Sequence, residues 1–388
     1  MKYANRPCSR SRFIRFGLLV LSSGLTTMIC DRLQAAQPTT VKTSRLQTLA
    51  KGFNLAHWQR HSLLDGYYTE AKLQQYKHLG LTYTRLPVVL STFFNDNNPG
   101  VLKTDSLAAL DAIVRLHIKT GLGIILSPFN HPKSLYSDPA VLAKFVAFFN
   151  AFAAHMNRTD PEKVFLEVMN EPNAETPQAW DRVQTELVKA IRSGAPDHTI
   201  IASSNVSATT NDWNNARSLP MTRIVADKNV VYNFHFYEPF VFTHQGASWG
   251  WRATQFMKNI PYPATLAKVD PLLNAIQDTE AKKAIEHYAQ QQWDRGRLIS
   301  LLSPIANWAR TNKVAVLCNE FGAIPWTVPR SSLLHYLKDV RQVLESLEIG
   351  WGQWFELDVR DEELMQALGL ESIRDIRSSS SKLHTYHT

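Results

Sequence analysis

Two short segments carry the residues best suited to chemistry: Met169-Asn170-Glu171-Pro172 and Cys318-Asn319-Glu320-Phe321-Gly322. Each sets a glutamate at the end of a short apolar run, Val164-Phe165-Leu166-Glu167-Val168 before the first and Val314-Ala315-Val316-Leu317 before the second. Apolar runs of that length, bounded by loop signals, predict buried parallel strands. A carboxylate just past such a strand is placed at the mouth of a sheet. Two carboxylates in one cleft make the acid and nucleophile pair that cleavage of a glycosidic bond requires.

The elements that must position them follow from the hydrophobic pattern. Eight short runs read as strands: Phe53–Ala56, Leu81–Pro87, Gly123–Ser127, Val164–Met169, Thr199–Ser203, Val230–Phe236, Val314–Asn319 and Gly350–Phe355. Between them lie helical faces, such as Val141, Phe145, Phe148, Phe149, Phe152 and Met156, or Leu333, Leu337, Val340 and Leu344. Gly80, Gly121, Gly194 and Gly350 fall where helices should stop. This alternation predicts an α/β fold, a (β/α)8 TIM barrel. The alternative, a doubly wound open sheet, would want a Gly-rich phosphate loop, and neither G-x-G-x-x-G nor a P-loop occurs.

In such a barrel the active site forms at the C-terminal ends of the strands. Reading off those ends returns Arg85, His131, Asn170 with Glu171, His235 with Tyr237, Glu320, and Trp354. The longest interruption runs from Glu238 to about Asn312, between strands six and seven, and carries Trp249 and Trp251. We read it as an elaborated loop on the catalytic face plus extra helices. Trp58, Trp249, Trp251 and Trp326 are candidates for outer sugar platforms, while Trp180 and Trp308 sit on helical apolar faces and are expected in the core. His57 and His244 are further cleft candidates.

Composition narrows the classes. The ten tryptophans suit stacking on sugar rings. The net charge of +8 is concentrated in residues 1–36, where Lys2, Arg6, Arg10, Arg12, Arg15 and Arg32 face Asp31 alone. The remainder has no basic stripe, so nucleic acid is not an expected partner. The basic stretch to Arg15, the apolar stretch from Phe16 to Ile29 and the small Ala35-Ala36 pair predict a signal peptide over 1–36 and a secreted, single catalytic domain over 37–388. Once that leader is cleaved, no membrane association is expected, and the domain is expected to be a monomer. Cys318 is then the only cysteine, so no intramolecular disulfide forms, and it reads as a small buried residue. There is no H-E-x-x-H or Cys/His cluster, so no metal is expected, and no G-x-S-x-G elbow, so a Ser-His-Asp hydrolase is not expected. No cofactor is expected. Asp96-Asn97-Asn98-Pro99-Gly100 lacks spaced calcium ligands and reads as a turn.

From Gly52 to about Ile373 the chain resembles glycoside hydrolase family 5, the cellulase family A of retaining barrel glycosidases. The motifs that carry the resemblance are Thr84-Arg85-Leu86-Pro87, His131-Pro132, Asn170-Glu171-Pro172, His235-Phe236-Tyr237, Asn319-Glu320-Phe321-Gly322 and Trp354, in that order. The resemblance implies double displacement, with Glu320 as nucleophile and Glu171 as acid and then base, and carboxyl groups roughly 5–5.5 Å apart. It further implies that Asn170 binds the sugar 2-OH, that His131 and His235 bind hydroxyls or fix the carboxylates, and that Trp354 forms the stacking floor. Arg85 and Tyr237 would favour an ionised Glu320, whose charge would raise the pKa of Glu171. The implied substrate is a polysaccharide or oligosaccharide. The first expectation is an endo-β-1,4-glucanase on cellulose-type glucan, with mannan, xyloglucan or transglycosylation as alternatives. A non-catalytic sugar-binding barrel is the alternative from another class.

Overall fold

In the computed structural model, which describes residues 41–55, 67–206 and 215–372, eight parallel strands close into a barrel with neighbours in chain order. They are β1 (Lys51–Asn54), β2 (Tyr83–Val89), β3 (Gly123–Phe129), β4 (Val164–Glu167), β5 (Ile200–Ser203), β6 (Val230–Phe236), β7 (Ala315–Phe321) and β8 (Gly350–Gln353). The seam pairs Gly52 of β1 with Gly352 of β8. All eight expected runs become strands. The leader, His57, Trp58 and residues 373–388 lie outside the described residues.

The strands are apolar because both their faces are covered. Inside the barrel, Tyr83, Ile125, Phe165, Ile201, Val231 and Leu317 pack with Leu49 into one cluster. Tyr83 fits only because its neighbours are small. A Cβ on Gly52 would lie 2.4 Å from the Tyr83 ring, and one on Gly352 would lie 2.7 Å from its hydroxyl oxygen. Outside the barrel, helices bury the faces read from the sequence. Phe145, Phe148, Phe149, Phe152 and Met156 of the helix Pro139–Met156 are all buried. That helix is long and apolar enough to cross a membrane by composition, yet these rings pack into the core shared with the barrel. The Asp138 side chain accepts from the Ala140 and Val141 N–H groups to start it, with Pro139 in the first turn, and Thr176 with Pro177 starts Pro177–Gly194 the same way. Gly121 ends Leu107–Thr120 at φ +76, a left-handed conformation that costs glycine little.

Between β6 and β7 the chain makes the long excursion expected from the sequence. It forms the turns Phe240–Thr243 and Arg252–Phe256, then the helices Leu266–Ala275, Thr279–Gln290 and Arg295–Asn312. Trp180 is fully buried and Trp308 packs half-buried on the core, as their helical faces suggest. Asn95 Oδ1 accepts from the Asn97 and Asn98 N–H groups, making 95–98 a side-chain-stabilised turn.

Candidate active site

Arg85 is the centre of the polar layer above the apolar barrel floor. Its side chain is wholly buried on β2 and its guanidinium satisfies acceptors from five other positions. Nε and Nη2 bind Glu167 in a two-pronged pair, at 2.7 and 2.8 Å. Nη1 binds Asn54 Oδ1 at 3.0 Å and Glu320 Oε1. Nη2 also reaches Ser127 Oγ at 2.8 Å and Asn170 Oδ1 at 2.9 Å. A buried guanidinium is tolerable only when its charge and donors are matched this fully. The Asn319 amide donates to Glu167 at 2.9 Å, so β1, β2, β3, β4 and β7 are tied into one network. Glu167 did not stand out in the sequence, where it looked like part of an apolar run. The signal was present: it is a charged residue within an otherwise apolar strand.

Glu320 lies within β7, which runs to Phe321, rather than just past it as expected. A register shift between Asn233 and His235 brings Glu320 opposite His235. One Glu320 oxygen faces Arg85, and the other accepts the Tyr237 hydroxyl at 2.9 Å. Glu171 stands beyond the end of β4 at φ +40, a region that costs a non-glycine residue about 1–3 kcal/mol and is typical of functional positions. Carboxylate oxygens of Glu171 and Glu320 come within 4.8 Å of each other, and His235 belongs to the same cluster. His235 Nδ1 lies 3.0 Å from Glu171 Oε1 and 3.3 Å from Glu320 Oε2.

The three groups therefore titrate together. Burial pushes Glu320 above the usual carboxylate range, against the opposing charges of His235 and Arg85. Burial also pushes Glu171 upward, but the hydrogen bond and charge of His235 outweigh it and leave Glu171 below that range. Burial lowers His235, and the Glu320 charge with the Glu171 contact more than reverses this. The resting site thus keeps its proton on His235 in preference to Glu171. This corrects the expectation that the Glu320 charge alone sets Glu171, an expectation that omitted His235. The same three side chains have the spacing for a metal ion, but both Glu320 oxygens are already engaged by Arg85 and Tyr237.

Above the carboxylates opens a cavity of about 720 Å³, lined by Asn170, Glu171, Tyr237, Glu320 and Trp354 among others. Trp249 and Trp251 line it too. Trp249 is 58% exposed, whereas Trp251 is pinned by its indole N–H to Glu280 at 2.7 Å. Trp326 does not line the cavity. It is 67% exposed and meets the edge of Phe355, which does. His131 follows the end of β3 and interacts electrostatically with Glu171. β3 continues through Pro128 to Phe129, and Asn130 then turns the chain at φ +67. The mouth position belongs to Phe129, whose ring centre is 5.3 Å from the Arg85 guanidinium carbon. His131 lies past the turn with its Nε2 against the Tyr136 hydroxyl, outside the cavity lining. Phe129, Phe240, Ala323 and Ile324 complete the wall and were not anticipated, while His244 does face the cavity. Cys318 is buried, which pushes its thiol pKa up, and its Sγ approaches the Glu320 carbonyl at 3.4 Å, so it is no nucleophile.

A closed (β/α)8 barrel with two adjacent cleft carboxylates, one following β4 and one on β7, defines a glycoside hydrolase. Residues 41–355 match the cellulase family, and the chain belongs to glycosyl hydrolase family 5. Endoglucanase 3 of Fibrobacter succinogenes is 26% identical over 80% of this chain, which spans 49% of that protein's length. Endoglucanase C of Acetivibrio thermocellus is 25% identical over 78% of this chain and 90% of its own. The crystal structure of an endoglucanase from Thermotoga maritima superposes with a TM-score of 0.66 at 22% identity, covering 84% of this chain and 98% of that one.

Proposed function

We propose that this protein is a secreted endo-β-1,4-glucanase that works by double displacement. The observation that carries the reading is the approach of the Glu171 and Glu320 carboxylates to within 4.8 Å. That close approach suits the retaining arrangement, with carboxyl groups roughly 5–5.5 Å apart, better than the inverting one, with groups roughly 6.5–9.5 Å apart. Glu320, oriented by Arg85 and Tyr237, attacks the anomeric carbon while Glu171 protonates the departing oxygen. A glycosyl ester on Glu320 results. Water, deprotonated by Glu171, then attacks the same carbon and frees Glu320.

The proton held on His235 reaches Glu171 through their 3.0 Å contact as substrate displaces water and leaves two carboxylates in a drier cleft. With Oδ1 of Asn170 accepting from Arg85, its amide N–H is turned out to donate to the sugar 2-OH. Trp354 supplies the floor. The endoglucanase relatives favour β-glucan over mannan or xyloglucan, and the leader read over 1–36 favours export.

Reducing-end release by residues 37–388 on carboxymethylcellulose, mixed-linkage β-glucan, xyloglucan and mannan tests the reading. We expect activity on the first two and nearly complete loss in Glu320→Gln. Substantial activity in that variant would overturn the mechanism, and activity on mannan alone would overturn the substrate.

A further inference from the structure

The cavity is lined in part by Phe240, Trp249, Trp251 and Ile324. His244 stands among these largely apolar side chains. The His244 ring stacks on Phe240 with centroids 3.8 Å apart and planes 12° apart, and meets Tyr237 edge-on at 5.2 Å. The ring is therefore held on two sides, and its tautomer can be read from its neighbour. Thr243 Oγ1 lies 2.6 Å from the Tyr237 carbonyl and 3.4 Å from that of Pro239, so its single proton goes to a carbonyl. The 2.9 Å contact between Thr243 Oγ1 and His244 Nδ1 must then be an N–H donated by the histidine. The Thr243 carbonyl accepts from the Ile324 N–H at 2.9 Å, which fixes the threonine in turn. Burial pushes the His244 pKa down to about 4, so the ring is neutral at working pH and Nε2 carries a bare lone pair. Among the described residues Nε2 has no partner. His244 and Glu171 line the same cavity, and of the two reacting carboxylates Glu171, the one that protonates the leaving oxygen in the reading above, is the one that interacts electrostatically with the ring.

We infer that His244 sets specificity in the leaving-group subsite, its Nε2 accepting a hydrogen bond from a hydroxyl of the sugar beyond the scissile bond. The inference rests on the glycosidase reading above. Its consequence is directional. A neutral ring that offers its Nε2 lone pair rewards a sugar hydroxyl at one position and gives nothing to a leaving group without one.

The test compares kcat/KM on cellotetraose with kcat/KM on an aryl β-cellobioside, whose leaving group has no sugar hydroxyls. His244→Phe keeps the stack on Phe240 and removes the acceptor. We expect it to lower the cellotetraose-to-aryl ratio about ten- to a hundredfold, the scale of a lost hydrogen bond in a desolvated site. Thr243→Val, which frees the tautomer, should lower the ratio in the same direction, and Thr243→Ser should restore it. A ratio within twofold of wild type in His244→Phe, with the protein folded by circular dichroism, overturns the inference. A wild-type protein inactive on both substrates overturns the glycosidase reading as well, which keeps the two failures distinct.

Discussion

Arg85 and Glu167 form a two-pronged ion pair with both side chains at 0% exposure. Glu167 has no view of the cavity, so it acts through Arg85, holding the guanidinium at the angle that presents Nη1 to Glu320. Breaking a buried pair from one side leaves a charge without its partner and costs about 3–5 kcal/mol. Glu167→Ala should therefore lower the urea midpoint markedly, and Glu167→Gln less so, because an amide still accepts one of the two bonds. A midpoint for Glu167→Ala equal to wild type would falsify this account of the layer.

Tyr237 gives Glu320 one of its two principal contacts, at 2.9 Å. Hydrogen bonds to charged groups contribute about 1.5–3 kcal/mol. Tyr237→Phe should reduce kcat roughly ten- to a hundredfold on any substrate, with little change in melting temperature. An unchanged kcat would mean that Arg85 and His235 suffice to orient the nucleophile.

His235 carries a raised pKa, so the sign of its pH effect is fixed. Its stabilising contribution is fully present below its ordinary value of 6.5 and is lost as pH rises through the higher folded value. The melting temperature of wild type should exceed that of His235→Gln most at pH 5–6 and by a shrinking margin toward pH 9. A margin independent of pH would show that the ring is not protonated between the carboxylates.

His131 is expected to be dispensable for turnover. Its Nε2 is engaged by Tyr136, whose hydroxyl also accepts the Asn173 N–H at 2.7 Å, so it supports the loop after Glu171 from outside the cavity. His131→Ala should keep kcat/KM within about threefold while costing about 1 kcal/mol of stability. A hundredfold loss of kcat/KM in a folded variant would put the imidazole back in contact with substrate.

The architecture was legible because parallel barrel strands are short, apolar and bounded by glycine, and eight such runs leave few other ways to close a sheet. Glu171, Glu320, Arg85, Tyr237 and Trp354 were legible because a polar or aromatic residue at a strand end has one place to go. Pro128, which looks like a strand terminator, sits inside β3, so that strand runs two residues further toward His131 than its pattern suggests. Glu167 was missed because its justification is a partner on another strand, which local pattern cannot display. The direction of the Glu171 shift was missed for a related reason: the register shift that puts His235 between the carboxylates leaves no mark on β6 itself.

The two pinned aromatic contacts on the cavity's outer wall, Trp251 to Glu280 and His244 to Phe240, both belong to the excursion between β6 and β7. The groups that face the anomeric carbon are anchored to the barrel instead. Inheritance can therefore act on the two separately. Exchange of residues along that excursion would alter which glycan is gripped, while the strands continue to transmit the same bond-breaking geometry from ancestor to descendant.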